Sequence, residues 1–139
     1  MVKMSASSSF FAFFARIFLA ILFVSFGWNK LMDFNGSVQY VASASSLPVP
    51  QLFTALTILV ELGGGILLIL GLFSRIAAFF MAGFTLLTIL LVHHFWTMAD
   101  VEAATNQMMA LKNLAIAGGL LMVTAFGPGA WAIGPGDRR

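Results

Sequence analysis

No cysteine occurs among the 139 residues. That absence excludes a disulfide, a thiol nucleophile, a CxxC redox pair and a thiolate metal site. Any redox chemistry in which the chain takes part must carry its electrons on another group. Charge is scarce too. Only 9% of residues are charged, where a soluble domain has about 25%. So few polar groups cannot cover a water-facing surface. The basic residues number 7 and the acidic ones 5, and no Lys/Arg run or stripe forms, so a nucleic-acid partner is not expected.

What the chain has instead is apolar surface. Hydrophobic residues make up 60% of it and its mean hydropathy is +1.00. The excess must face lipid, so the lipid bilayer is its first partner. The 15 Phe and 8 Met are read as apolar filler rather than as a cofactor box. The apolar stretch Phe10 to Gly27 follows Lys3 and invites comparison with a signal peptide. It is interrupted by Arg16, and the small-x-small site Ala42-Ser43-Ala44 lies well beyond its end. The stretch is therefore read as a retained first helix.

Four segments approach the ~20 residues that a helical span needs: Phe10 to Lys30, Gln51 to Gly71, Arg75 to Trp96 and Gln107 to Phe126. They lack the alternation of a transmembrane strand. The expected fold is all-α, an antiparallel four-transmembrane-helix bundle forming a single domain over residues 1–139. In the first connection, Asp33-Phe34-Asn35-Gly36 reads as a turn and helix start. Val38, Val41, Ala42 and Ser45 then share a face, which predicts a short interfacial helix ended by Leu47-Pro48-Val49-Pro50. The tight link from Gly71 to Arg75 makes spans two and three antiparallel neighbours. Thr97 to Asn106 is a polar loop. Gly127-Pro128-Gly129 and Gly134-Pro135-Gly136 end the last helix and place Trp131 at an interface.

An even number of spans puts both termini on one side. Lys3, Arg75, Arg138 and Arg139 gather there, with Arg16 nearby, whereas Lys30 and Lys112 lie opposite among Asp33, Asp100 and Glu102. The positive-inside rule then predicts cytoplasmic termini.

Ionisable residues inside spans are costly, about 2.5–3.5 kcal/mol on insertion scales, and so point to function or to specific packing. Glu61 lies near the middle of the second span. It must either carry a proton or lie beside a cation. Arg16 is the expected partner, giving a buried ion pair Arg16–Glu61 that serves structure or function. Helical phase puts Arg16, Ala20, Phe23, Gly27 and Lys30 on one stripe, and Thr54, Thr57, Gly64, Gly65 and Leu68 on the face of Glu61. Gly63-Gly64-Gly65 would let another helix approach closely.

A second polar group gathers at the outer ends of the spans: Trp28, Asn29 and Lys30 from the first, His93, His94 and Trp96 from the third, and Lys112 and Asn113 from the fourth, which opens at Gln107. With Glu61 below them these are the candidate ligand-binding residues. They would suit a polar-headed, apolar-tailed ligand such as a quinone or lipid. The plainer reading is interfacial anchoring by His93 and Trp96 and snorkelling by Lys112. Adjacent helical histidines point about 100° apart, so no metal site is expected.

The run from Arg16 through Ser25-Phe26-Gly27-Trp28-Asn29-Lys30-Leu31 resembles the opening of DoxX family proteins. So do Glu61-Leu62-Gly63-Gly64-Gly65, Leu70-Gly71-Leu72-Phe73-Ser74-Arg75, His93-His94-Phe95-Trp96, Met109 to Gly119 with Lys112-Asn113, and Gly127-Pro128-Gly129. The ordered set carries the resemblance rather than any one motif. It implies a multi-pass protein of the bacterial inner membrane, with relatives that include subunits of thiosulfate:quinone oxidoreductases and a mycobacterial member linked to oxidative-stress defence. Some relatives carry cysteines and this chain has none, which weighs against a thiol mechanism. No independent catalytic motif or nucleotide fingerprint is present, and no catalytic residue is assigned. The leading expectation is a redox-associated membrane subunit with quinone as its ligand. The alternatives are a non-enzymatic anchor or assembly partner for another protein, and a small-solute transporter working as a homo-oligomer.

Overall fold

The computed structural model describes residues 5–134. Lys3, Arg138, Arg139 and the Pro135-Gly136 part of the second Gly-Pro-Gly turn lie outside the described residues. Helix α1 runs Ala6–Met32 and α2 runs Phe34–Ala44. Helix α3 covers Pro50–Leu70, α4 Ser74–Leu91 and α5 Asp100–Phe126. No strand occurs among the described residues. The helices α1, α3 and α5, together with α4 extended through its following turn to Thr97, are the four long and apolar enough to cross a membrane. Their outward faces carry Phe11, Phe18, Leu59, Phe80 and Leu111, all exposed, as lipid-facing surfaces require.

Local signals set the helix ends. Ser5 caps α1 by accepting from the Ser8 amide at 3.2 Å. A single residue, Asp33, separates α1 from α2 and caps α2 through its side chain on the Gly36 amide at 3.1 Å. Pro50 starts α3 at a position where no backbone donor is needed. Helix α3 ends in a Schellman turn. Gly71 takes φ +72°, and the amides of Gly71 and Leu72 return to Leu68 O and Leu67 O. The resulting link is tight, as expected. Helix α5 begins at Asp100 rather than Gln107, which shortens the third loop. Helix α4 stops at Leu91, so His93 and His94 lie in a turn rather than on a helix.

The inner seam is made by small residues. A Cβ at Gly27 would lie 3.0 Å from Glu61 Cβ and 3.0 Å from the Leu62 backbone nitrogen. One at Gly65 would lie 2.7 Å from Val24, and one at Gly64 would run into Met81 of α4. These contacts fix the antiparallel register of α1 and α3. Ala20, Phe23, Leu68, Ala78, Met81, Ala82, Leu120 and Val123 form the core around them. Helices α4 and α5 pack along their length, whereas α1 and α5 touch sparsely. The described tail folds under the bundle. Ala130 N lies 3.4 Å from Ser9 Oγ, and the Ile133 amide donates to Leu70 O at 3.0 Å. Trp131, half exposed, packs edge-on against Phe10 and Phe13.

Candidate functional site

Glu61 is buried inside a π-helical turn, Leu59–Gly63, set into α3. Such turns are rare and recur at functional positions. Both carboxylate oxygens accept from Lys30 Nζ, at 3.0 and 2.9 Å. Among the described residues this is the ion pair of the molecule, and it replaces the expected Arg16–Glu61 pair. The register explains the difference. Gly27 lies level with Glu61, so Arg16 is eleven positions, or about 16 Å, further along α1, too far for a side chain to cover. Lys30, by contrast, lies less than one turn beyond Gly27.

Arg16 is fully buried at the opposite end of the bundle. Its guanidinium donates to Pro128 O at 2.7 Å and to Trp131 O at 2.8 Å. Arg75 donates to Thr124 O at 3.0 Å and Ala125 O at 2.6 Å, where the carbonyls of the last turn of α5 carry partial negative charge. Arg16 thus holds the tail, and Arg75 the end of α5 from which it leaves.

The Lys30–Glu61 pair forms part of the wall of a cavity of ≈ 500 Å³ at the Lys30 end of the bundle. All five long or short helices contribute. Of the sequence-predicted residues, Lys30, Glu61, His93, Lys112 and Asn113 line it. Trp28, Asn29, His94 and Trp96 do not. Trp28 and Trp96 are more than half exposed. His94 turns away, with Nδ1 2.7 Å from Thr97 Oγ1 and Nε2 3.3 Å from Ala44 O. His93 Nδ1 is 2.9 Å from Asn106 Oδ1. No group of metal-ligating side chains occurs among the described residues.

Sequence reasoning missed the lid and part of the wall. Helix α2 covers the cavity with Gly36, Ser37, Tyr40 and Val41; of the expected face of Val38, Val41, Ala42 and Ser45 it keeps Val41, which is buried, and otherwise turns in the neighbouring one. Tyr40 stands at the rim, where partial burial pushes its phenol above the usual value and keeps it a neutral hydroxyl. Thr88 Oγ1 accepts from Asn113 Nδ2 at 3.0 Å and so orients that amide. Phe26 is a shared platform: Lys30 Nζ and Lys112 Nζ each lie 5.4 Å from its ring centroid. Lys112 donates to Met109 Sδ at 3.3 Å and has no carboxylate partner among the described residues. The wall thus offers cationic and amide donors beside the Glu61 and Asp33 carboxylates and several hydroxyls, set among apolar side chains that include Leu22, Phe84, Val92 and Ile116.

The DoxX family model matches residues 11–94, more than half of the chain. The chain belongs to the DoxX family. It is 40% identical over 119 residues to inner membrane protein YqjF of Escherichia coli, covering 86% of this chain and 85% of that one. It is 38% identical over 125 residues to inner membrane protein YphA of the same organism, covering 90% and 86%. No solved structure matches. With its four apolar spans, this DoxX-family chain is a small integral inner-membrane protein. The matched region runs from α1 to the His93-His94 turn, so it includes Lys30 and Glu61 but stops short of Lys112 and Asn113.

Proposed function

We propose that this DoxX-family protein binds a quinone, or a lipid-like molecule of the same polar-headed shape, in the cavity beneath α2, and serves as the membrane subunit of a redox system. One observation carries the reading. Lys30, Lys112, Asn113 and His93 line one ≈ 500 Å³ space whose remaining walls are mostly apolar, with Asp33, Glu61, Tyr40 and several hydroxyls among them. A pocket of that size with a few convergent donors suits a compact head group. Two ring carbonyls are good acceptors for an ammonium and an amide. The chain has no cysteine, so electrons would reside on the quinone and on a partner protein rather than on this chain. The Lys30–Glu61 pair would supply a site for proton exchange beside the head group.

The topology belongs to the same proposal. With both termini cytoplasmic, the cavity opens toward the periplasmic end. Lys30 and Lys112 line the cavity, so the outer links 33–49 and 92–99 carry no Lys or Arg, which fits the positive-inside rule. The test is purification in a mild detergent, organic extraction and assay for quinone, followed by titration with a short-chain quinone. Co-purification and saturable binding are expected, weakened by Glu61→Gln. Quinone-free preparations that give no response on titration would overturn the reading.

A further inference from the structure

Along the sparse α1–α5 contact runs a second concavity, a groove of ≈ 670 Å³. Its lining is apolar or small: Ala12, Ala15, Phe18, Gly119, Met122 and Val123 are among its walls. Two residues, Leu22 and Ile116, line both this groove and the polar cavity. They are partly buried and pack on the core from opposite helices. One helical turn toward the cavity from each come Phe26 and Lys112, and one more turn along α1 comes Lys30. The groove extends from Leu22 to Ala12 on α1, about 15 Å, with Phe18 and Met122 exposed at its mouth. The seam is therefore polar at one end and apolar over the rest of its length.

We infer that the ligand enters sideways from the lipid between α1 and α5, with Leu22 and Ile116 as the portal, and leaves its apolar tail in the Ala15–Gly119 groove while its head occupies the Lys30–Lys112 cavity. This inference rests on the proposed quinone reading and adds the tail and the route. The two spaces adjoin across the same residue pair, Leu22 and Ile116, which lines both, and this adjacency is the argument for this occupant. A Lys112 ammonium with no carboxylate partner among the described residues at the head end, and a groove without a charged wall at the other, match a single amphiphile lying along the seam. Sparse α1–α5 packing leaves the portal room to open, since few contacts must be broken.

The test compares two probes on the purified protein in detergent: the ubiquinone head group without a tail and its decyl derivative. Leu22→Trp and Ile116→Trp narrow the portal. Both variants should lose about tenfold in affinity for the decyl probe relative to the tail-less one. Ala15→Phe fills the exposed groove away from the core and away from the head-group cavity, so it tests the same point in a protein that retains its packing, and it should weaken only the decyl probe. If both probes bind and no variant discriminates between them, the tail lies elsewhere and the inference falls while the quinone reading stands. A bulk phospholipid chain occupying the groove would give that same lack of discrimination. If neither probe binds the unmodified protein, the quinone reading fails and takes this inference with it.

Discussion

Lys30 donates to both carboxylate oxygens of Glu61, at 3.0 and 2.9 Å, across the α1–α3 seam. The two ends of this pair differ in environment. The Glu61 side chain is 8% exposed and that of Lys30 26%, on the cavity side. The pair therefore anchors a buried anion with a cation that reaches the cavity.

Removing one partner of such a pair strands the other. Lys30→Met should destabilise the protein by about 3 kcal/mol, the low end for a buried pair because Lys30 keeps some exposure. Glu61→Leu alone should cost less, since the freed Lys30 can extend into the cavity. The double variant should recover part of the Lys30→Met loss. Heating the detergent-solubilised variants and following monodisperse protein by size exclusion measures this. A double variant as unstable as the sum of the two singles would show that the pair is not coupled.

The glycine positions give a sharper contrast. Gly27→Ala drives a Cβ to 2.8 Å from Leu62 Cγ and 3.0 Å from the Leu62 nitrogen, and so must part α1 from α3. A loss of about 1–3 kcal/mol is expected, as for overpacking in a core. Gly83→Ala meets nothing within 4 Å and should leave thermal stability unchanged or slightly higher. Comparing the two melting curves checks the register on which the ion pair depends.

How far the sequence reached depended on the kind of signal. Span number and apolar faces follow from hydropathy and helical period, and the stripe Arg16, Ala20, Phe23 and Gly27 is buried as its spacing predicts. The partner of Glu61 was illegible because pairing between helices depends on axial register. Register is set here by Gly27 against Leu62 and Gly65 against Val24, contacts that no single-helix pattern encodes. The π-turn around Glu61 left no periodic signature either; three glycines after a glutamate were its only hint. His94 and Trp96 were misplaced for a simpler reason. Helix α4 ends at Leu91, so angular reasoning from helical phase does not extend to them.

The tail makes a separate prediction. Arg16 holds Pro128 O and Trp131 O with a planar, multi-donor head that lysine cannot reproduce. Arg16→Met should release the segment after Gly127 to limited proteolysis in detergent, and Arg16→Lys should do so partially. Protection equal to that of the unmodified protein would mean that the tail is held by its Ser9 and Leu70 contacts without the guanidinium.

Orientation can be read in cells. A fluorescent protein fused after the C-terminus should be bright, and alkaline phosphatase fused there inactive, because the termini are proposed to be cytoplasmic. Phosphatase inserted between Ser45 and Pro48, in the link after α2, should be active. The reverse pattern would place the Lys30–Lys112 cavity on the cytoplasmic side.

Lys112 separates a ligand-binding role from a structural one. It has no carboxylate partner among the described residues and its donor contact is the weak one to Met109 Sδ. Its loss should therefore cost little stability, in contrast to Lys30. In the proposed complex it would donate a charged hydrogen bond to the head group, an interaction of about 1.5–3 kcal/mol, or roughly ten- to a hundredfold in affinity. Lys112→Met should then weaken quinone binding by about that factor at near-constant melting temperature, and Lys112→Arg should retain part of the affinity. Asn113→Leu should have a smaller effect, because Asn113 already donates to Thr88 at 3.0 Å. A Lys112→Met protein that binds quinone as tightly as the unmodified chain would remove Lys112 from the site and leave Lys30, the other lysine of the cavity lining, to receive the head group.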